Sequence, residues 1–371
     1  MKWSWRIGTF AGIGVYVHAT FLLIIGWFAF ASWQDTQTII GTLTGVFFVI
    51  ALFLCVVLHE YGHALTARRY GIATRDITLL PIGGVARLER MPDDPMQELW
   101  VAVAGPAVNL AIALVLFGWI SISTPIAGSE DLDVMSSSMA WRLMSINIVL
   151  AVFNMIPAFP MDGGRVVRAV LAMQMPYTRA TQLAASLGQS LAFMFFLIGL
   201  WTQPWLMLIG AFIWIGASQE SSMVQLKSAL YGIPVHRAMV TTFRTADPNE
   251  TLQEIVSAIL NGTQADFPVV DENRVVGVLI QADLLEALSE GDVTRRVADV
   301  MRREFEIAHP NDMLQTLFMQ MQDSTCDCRM VPVLGGDDRL VGLVTKENTG
   351  EFLQIQAAMA ESRKGMSSGT A

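Results

Sequence analysis

Long apolar runs recur through the first 220 residues, and they limit what this chain can fold into more than any other feature. A helix needs about 20 mostly apolar residues to cross a bilayer, where every backbone group must find its partner within the protein. Six stretches reach or approach that length, at about 15–33, 42–67, 98–121, 139–160, 182–200 and 204–220. Only 15% of the 371 residues are charged while 53% are apolar, against about 25% charged in an ordinary soluble domain. Charge becomes denser after residue 230, where Asp, Glu and Arg recur throughout. The expected architecture is a polytopic α-helical membrane domain of about six spans over 1–220, followed by a soluble α+β domain.

Lysine and arginine in the connections set the expected orientation, because they accumulate on the cytoplasmic side. Lys2 and Arg6 precede the first run, and the connection after it has none. Arg68, Arg69, Arg75, Arg87 and Arg90 follow the second run, whereas the third connection carries Glu130, Asp131 and Asp133. Arg165, Arg168 and Arg179 follow the fourth, the fifth connection is empty, and Lys227 and Arg237 follow the sixth. This alternation fits six spans with both termini cytoplasmic, in a plasma membrane of bacterial or archaeal type. No small-residue cleavage site follows the first run, which reads as an uncleaved span. A net charge of −9 leaves no basic patch to neutralise phosphates, so no nucleic-acid partner is expected. Cys55 reads as a buried thiol within a span, and Cys326 and Cys328 form a lone C-x-C without the second pair of a zinc site.

The second run contains Leu58-His59-Glu60-Tyr61-Gly62-His63. Residues four apart share a helix face, so His59 and His63 can reach one metal, with Glu60 beside it as a candidate general base. Three ionisable groups within one turn of a membrane helix are costly and are usually there for function. Catalytic zinc takes three protein ligands and keeps one position open. Asp162 is the candidate third ligand: it lies three residues before Arg165, as His63 lies five before Arg68, so both are expected near the cytoplasmic interface. Pro157 and Pro160 break the fourth run, and Gly163 with Gly164 let the chain turn there. A helix-capping or turn role is the plainer alternative for Asp162.

With these residues the chain resembles the site-2 protease family of intramembrane zinc metalloproteases, in which H-E-x-x-H pairs with N-x-x-P…D-G. The resemblance rests on His59–His63, on Gly105-Pro106-Ala107-Val108-Asn109 and on Asn154 to Arg165, and it covers residues 8 to about 220. It implies a zinc metalloendopeptidase that cuts transmembrane protein substrates near the cytoplasmic side, in regulated intramembrane proteolysis. It implies Asn154 as a donor to the developing oxyanion, with an interhelical hydrogen bond as the alternative use, and it leaves Asn109 as structural. Pro81 to Ala86 resembles the family's short membrane-associated strand, which implies Gly83, Gly84 and Val85 as substrate-binding backbone. Val15 to His18 matches the family's N-terminal segment, and His18 alone reads as a structural group.

Residues 237–355 repeat internally with a period of roughly 62–65: Phe267-Pro268-Val269-Val270 returns as Val331-Pro332-Val333-Leu334, and Gly277-Val278-Leu279 as Gly342-Leu343-Val344. Each copy reads as a helix from about Leu252 or Leu314, then two strands, then a helix. The β-α-β-β-α order resembles a tandem pair of CBS domains, expected at 237–293 and 294–356 after a linker at 221–236 and before a disordered tail at 357–371. That resemblance implies a homodimer through the CBS domains and one ATP or AMP site, with a purely dimerising scaffold as the alternative. Thr345 and Asn348 of the second copy and Asp283 of the first would hold the nucleotide, with Ile280 where the first copy would need a hydroxyl. A different class of function, a CBS-gated ion transporter using the His/Glu/Asp cluster as an ion site, would show inverted repeats or half-helices in matching positions. None is visible in residues 1–220.

Overall fold

The computed structural model describes every residue except 1–2, 82, 93, 124–138, 291–292, 323–328 and 369–371. Glu130, Asp131 and Asp133, and likewise Cys326 and Cys328, lie outside the described residues. The chain forms two compact units, Met1–Gln225 and Leu226–Ala371.

The first unit runs β1 (Ser4–Phe10), β2 (Ile13–His18), α1 (Phe21–Thr36), α2 (Ile39–Arg69), β3 (Thr74–Leu80), β4 (Gly83–Leu88), α3 (Pro95–Ser123), α4 (Met139–Asn154), α5 (Asp162–Ala172), α6 (Tyr177–Trp201) and α7 (Pro204–Leu230). Among the described residues three helices, α2, α3 and α6, are long and apolar enough to cross a membrane, and α4 is apolar but shorter. The stretch expected to begin a span at about residue 15 is strand through His18 instead. Helix starts only at Phe21, after His18 Nδ1 has accepted from Thr20 N–H and sits 2.8 Å from Thr20 Oγ1. α4 stops at Asn154 rather than near 160, because Pro157 cannot continue a helix and biases the residue before it toward extended backbone. On α6 the buried positions are small, Ala180, Ala184, Ala185, Gly188 and Ala192, while Leu187, Phe193, Leu197 and Trp201 point outward. This inverts the pattern of a soluble helix and suits a helix packed by close backbone approach in lipid.

The four strands form one sheet in the order β1-β2-β3-β4, with β2 parallel to β3 and the outer pairs antiparallel. β4 is therefore an edge strand. Its Gly84 lies against α2, where an added Cβ would come within 2.7 Å of Glu60 Cγ.

The second unit contains the repeat. α8 (Leu252–Leu260), β5 (Phe267–Asp271), β6 (Arg274–Leu279) and α9 (Gln281–Ser289) form the first copy. After the short α10 (Val297–Val300), α11 (Leu314–Gln322), β7 (Met330–Leu334), β8 (Leu340–Thr345) and α12 (Lys346–Ser368) form the second. The leading strand of each copy is reduced to a parallel bridge, Ala246 to Val269 and Ala308 to Val333. The copies also exchange bridges, Val240 to Leu343 and Val278 to Arg302. Each copy has its own apolar core, and Val278, Ile280, Met330 and Leu343 pack between them.

Two expected boundaries differ. The segment expected as a linker, 221–236, is helix through Leu230, with Leu226 and Leu230 packed in the core of the second unit. The segment expected as a disordered tail from 357 is helical through Ser368. Ala, Met, Glu, Arg and Lys dominate it, and their helix propensity outweighs its low apolar content.

Candidate metal centre

His59 and His63 stand one turn apart on α2, and Asp162 occupies the first position of α5, where the partial positive charge of a helix start favours a carboxylate. Gly163 and Gly164 make that placement possible. A Cβ at Gly163 would fall 2.2 Å from the Ile156 carbonyl oxygen and one at Gly164 2.6 Å from the Phe159 nitrogen, so α5 nests directly against the 156–159 turn. All three candidate ligand side chains are buried.

His63 Nδ1 donates to the Val101 carbonyl of α3 at 2.7 Å, which fixes the tautomer and leaves Nε2 with a lone pair. That Nε2 lies 3.1 Å from His59 Nε2 and 3.1 Å from Asp162 Oδ2, and His59 Nε2 lies 3.3 Å from the same oxygen. With His63 neutral and Asp162 ionised, at most one of these three atoms carries a proton, so the triangle is short of donors. His59 Nδ1 is also buried without a hydrogen-bond partner among the described residues. A cation among the three atoms would satisfy His59 Nε2, His63 Nε2 and Asp162 Oδ2 together. Bonds of about 2.0–2.1 Å in a tetrahedral zinc site give edges of about 3.3 Å, close to these separations. The donor set, two imidazoles and one carboxylate, is one that catalytic zinc takes. The residues fit the metal.

Glu60 is held beside the triangle by the edge strand: the Ala86 backbone N–H donates to its Oε2 at 3.1 Å. Gly83, Gly84 and Val85 precede that donor on β4. Asn154 is the last residue of α4, half-buried, and its side chain makes no hydrogen bond among the described residues. Asn109 is buried, and its Oδ1 has no partner among them.

Close packing of α3 on α2 holds the cluster together, a role that neither motif assigns to its glycine. Gly105 of α3 faces both imidazoles, and a Cβ there would lie 2.2 Å from His63 Nε2 and 2.7 Å from His59 Nε2. Gly62 does the same for the helix crossing, where a Cβ would meet the Ala104 carbonyl oxygen at 2.7 Å. One small residue on each of two helices is a faint signal, and the Val101 carbonyl has none.

In the second unit a cavity of about 320 Å³ is lined by Thr242, Phe243, Asp266, Arg329, Thr345 and Asn348, among others. Thr345 Oγ1 donates to Asn348 Oδ1 at 2.7 Å and accepts from the Asn348 N–H at 3.1 Å. Burial pushes the Asp266 carboxyl up, against the pull of the Gln281 N–H that donates to it at 2.8 Å. The structure brings Thr345 and Asn348 together but not Asp283, which pairs with Arg302 at 2.5 and 2.7 Å and is not in the cavity lining.

Comparison with known proteins meets this geometry from another side. Residues 47–128 and 118–197 match the profile of peptidase family M50, and 235–290 and 297–348 match that of the CBS domain. A zinc metalloprotease of Methanocaldococcus jannaschii is 31% identical over 356 residues, 96% of this chain and 97% of the relative. The stage IV sporulation protein FB of Bacillus subtilis is 28% identical over 44% of this chain and 52% of its own length. The solved structure of a site-2 protease from Methanocaldococcus jannaschii, at 36% identity and a TM-score of 0.44, covers 59% of this chain and 95% of that one. The chain thus belongs to peptidase family M50, the zinc metalloproteases of site-2 protease type, and carries a pair of CBS domains behind its peptidase unit.

Proposed function

We propose that His59, His63 and Asp162 hold the catalytic zinc, that Glu60 is the general base, and that the substrate is a transmembrane protein cut near the cytoplasmic side. The observation that carries this reading is the convergence of three acceptor-rich ligand atoms with Glu60 alongside. Zinc bound there would polarise the scissile carbonyl and make water a competent nucleophile near neutral pH. Glu60 takes the proton of the attacking water and returns it to the leaving amine nitrogen. The Ala86 N–H restrains its carboxylate and leaves the second oxygen for that transfer. Asn154, with its amide uncommitted, donates to the developing oxyanion.

A peptide bond within a helix is shielded by the helix's own hydrogen bonds, so the substrate must unwind locally. The Gly83–Val85 backbone on the open edge of β4 supplies new partners by strand addition. Because Ala86 turns its N–H toward Glu60, a strand added on that side lies next to the base. In this reading α1, α4 and α7 also span, for six in all, with both termini cytoplasmic in a plasma membrane of bacterial or archaeal type. The CBS pair forms a homodimer and takes ATP or AMP in the cavity beside Thr345 and Asn348. Asp283 would contribute only after release from Arg302.

Glu60→Gln, purified and assayed on a reporter transmembrane substrate, separates proteolysis from mere metal binding. Full zinc occupancy with turnover reduced on the order of 10²- to 10⁴-fold is expected. Undiminished cleavage would refute the assignment.

A further inference from the structure

The most heavily buried charge in the first unit is unused by the mechanism above. Arg168 of α5 is fully buried. Its Nε donates to Glu98 Oε1 at 2.7 Å and its Nη2 lies 2.5 Å from the same oxygen, while its Nη1 donates to Glu220 Oε1. The guanidinium also lies over the rings of Phe159 and Tyr177, 5.0 and 5.1 Å from their centroids. One side chain thereby joins α5 to α3, to α7, to the start of α6 and to the turn before α5.

The connected positions matter more than the number of bonds. Glu98 lies one turn before Val101 on α3, and the Val101 carbonyl orients His63. Arg168 lies on the short α5, whose first residue is Asp162. The Arg168–Glu98 pair therefore ties the helix that aims one candidate ligand to the helix that presents another. Isolated buried ion pairs are poor stabilisers relative to apolar packing of the same shape, so stability alone is a weak reason for one here. A planar guanidinium held by two carboxylates and two rings does fix position and angle.

We propose that Arg168 is a positioning residue of the metal centre: through Glu98 it sets the separation of Asp162 from His63, and through Glu220 it holds that arrangement against α7. The proposal rests on the assignment of Asp162 and His63 as zinc ligands.

The test uses the full chain in detergent and reads zinc affinity by chelator competition, the visible spectrum of the cobalt(II)-substituted protein, and thermal melting of the metal-free form. Arg168→Lys keeps a charge but cannot hold both carboxylates in one plane. It is expected to weaken zinc binding on the order of tenfold and shift the cobalt bands, as loss of a ligand's supporting partner does, while the metal-free melting point stays near wild type. Glu220→Gln, at a partly exposed position one contact further from the ligands, is expected to weaken zinc binding about two- to threefold, less than the loss of a ligand's own supporting partner. Wild-type zinc affinity and cobalt spectrum in Arg168→Lys would overturn the proposal, as would losses that only track melting. If Arg168→Lys does not fold, Glu220→Gln decides alone, its loss supporting the proposal and its wild-type behaviour overturning it. Asp162→Ala separates the two layers: if it leaves zinc affinity unchanged, the ligand assignment has failed rather than the role of Arg168.

Discussion

At the scale of single residues, the centre depends on an absent side chain as much as on those present. His59, Glu60 and His63 could be read from helical spacing, and Asp162 from the depth suggested by loop arginines. Gly105 could be read only as part of the Gly105–Asn109 stretch that carries the family resemblance; its role beside the imidazoles follows from how closely α3 approaches α2, a packing result that no local pattern encodes. Gly105→Ala puts a methyl 2.2 Å from His63 Nε2 and should lower zinc affinity at least about tenfold, measured by chelator competition. Wild-type affinity in that variant would mean that His59 and His63 do not meet beside α3. The Val101 carbonyl is invisible to sequence for a different reason: every residue has one, and only the fold selects which carbonyl a histidine finds.

At the scale of elements, prolines and strands account for most of what the apolar runs left unread. Run length alone extended the first span back to about residue 15 and the fourth on to about 160, yet β2 claims the former and Pro157 ends the latter. The sheet order follows from pairings between segments some 60 residues apart, such as Val15 with Ile77, which alternation within either segment does not reveal. Gly84→Pro removes an N–H from the open edge strand. It should abolish turnover of a transmembrane substrate while zinc content stays at wild type. Gly84→Ala is the control, since it crowds Glu60 to 2.7 Å but keeps the N–H. If the alanine variant cleaves and the proline variant cleaves as well as it does, strand addition at β4 is wrong.

At the scale of the whole molecule, the internal repeat was the most legible feature, because duplicated strands leave duplicated apolar words such as Phe267-Pro268-Val269 and Val331-Pro332-Val333. The boundary between units was not legible. α7 is one continuous helix that carries Glu220 in the first unit and Leu230 in the core of the second, so no polar linker marks the join. The cavity beside Thr345 leads to an expectation for the intact chain. ATP or AMP should raise its melting temperature, and Thr345→Ala should weaken binding about tenfold or more, the loss of a hydrogen bond to a charged group. Asp283→Asn should change binding less than about twofold, as that carboxylate is occupied by Arg302. Equal losses in both variants would return Asp283 to the nucleotide site.

The proposed peptidase chemistry depends on a zinc ion bound by two imidazoles and one carboxylate, and zinc-edge X-ray absorption on the purified full chain tests that directly. The expected spectrum contains scattering from two imidazole rings with nitrogen and oxygen neighbours at about 2.0–2.1 Å and no sulfur. A sulfur neighbour near about 2.3 Å, or the absence of imidazole scattering, would contradict a centre built on His59, His63 and Asp162.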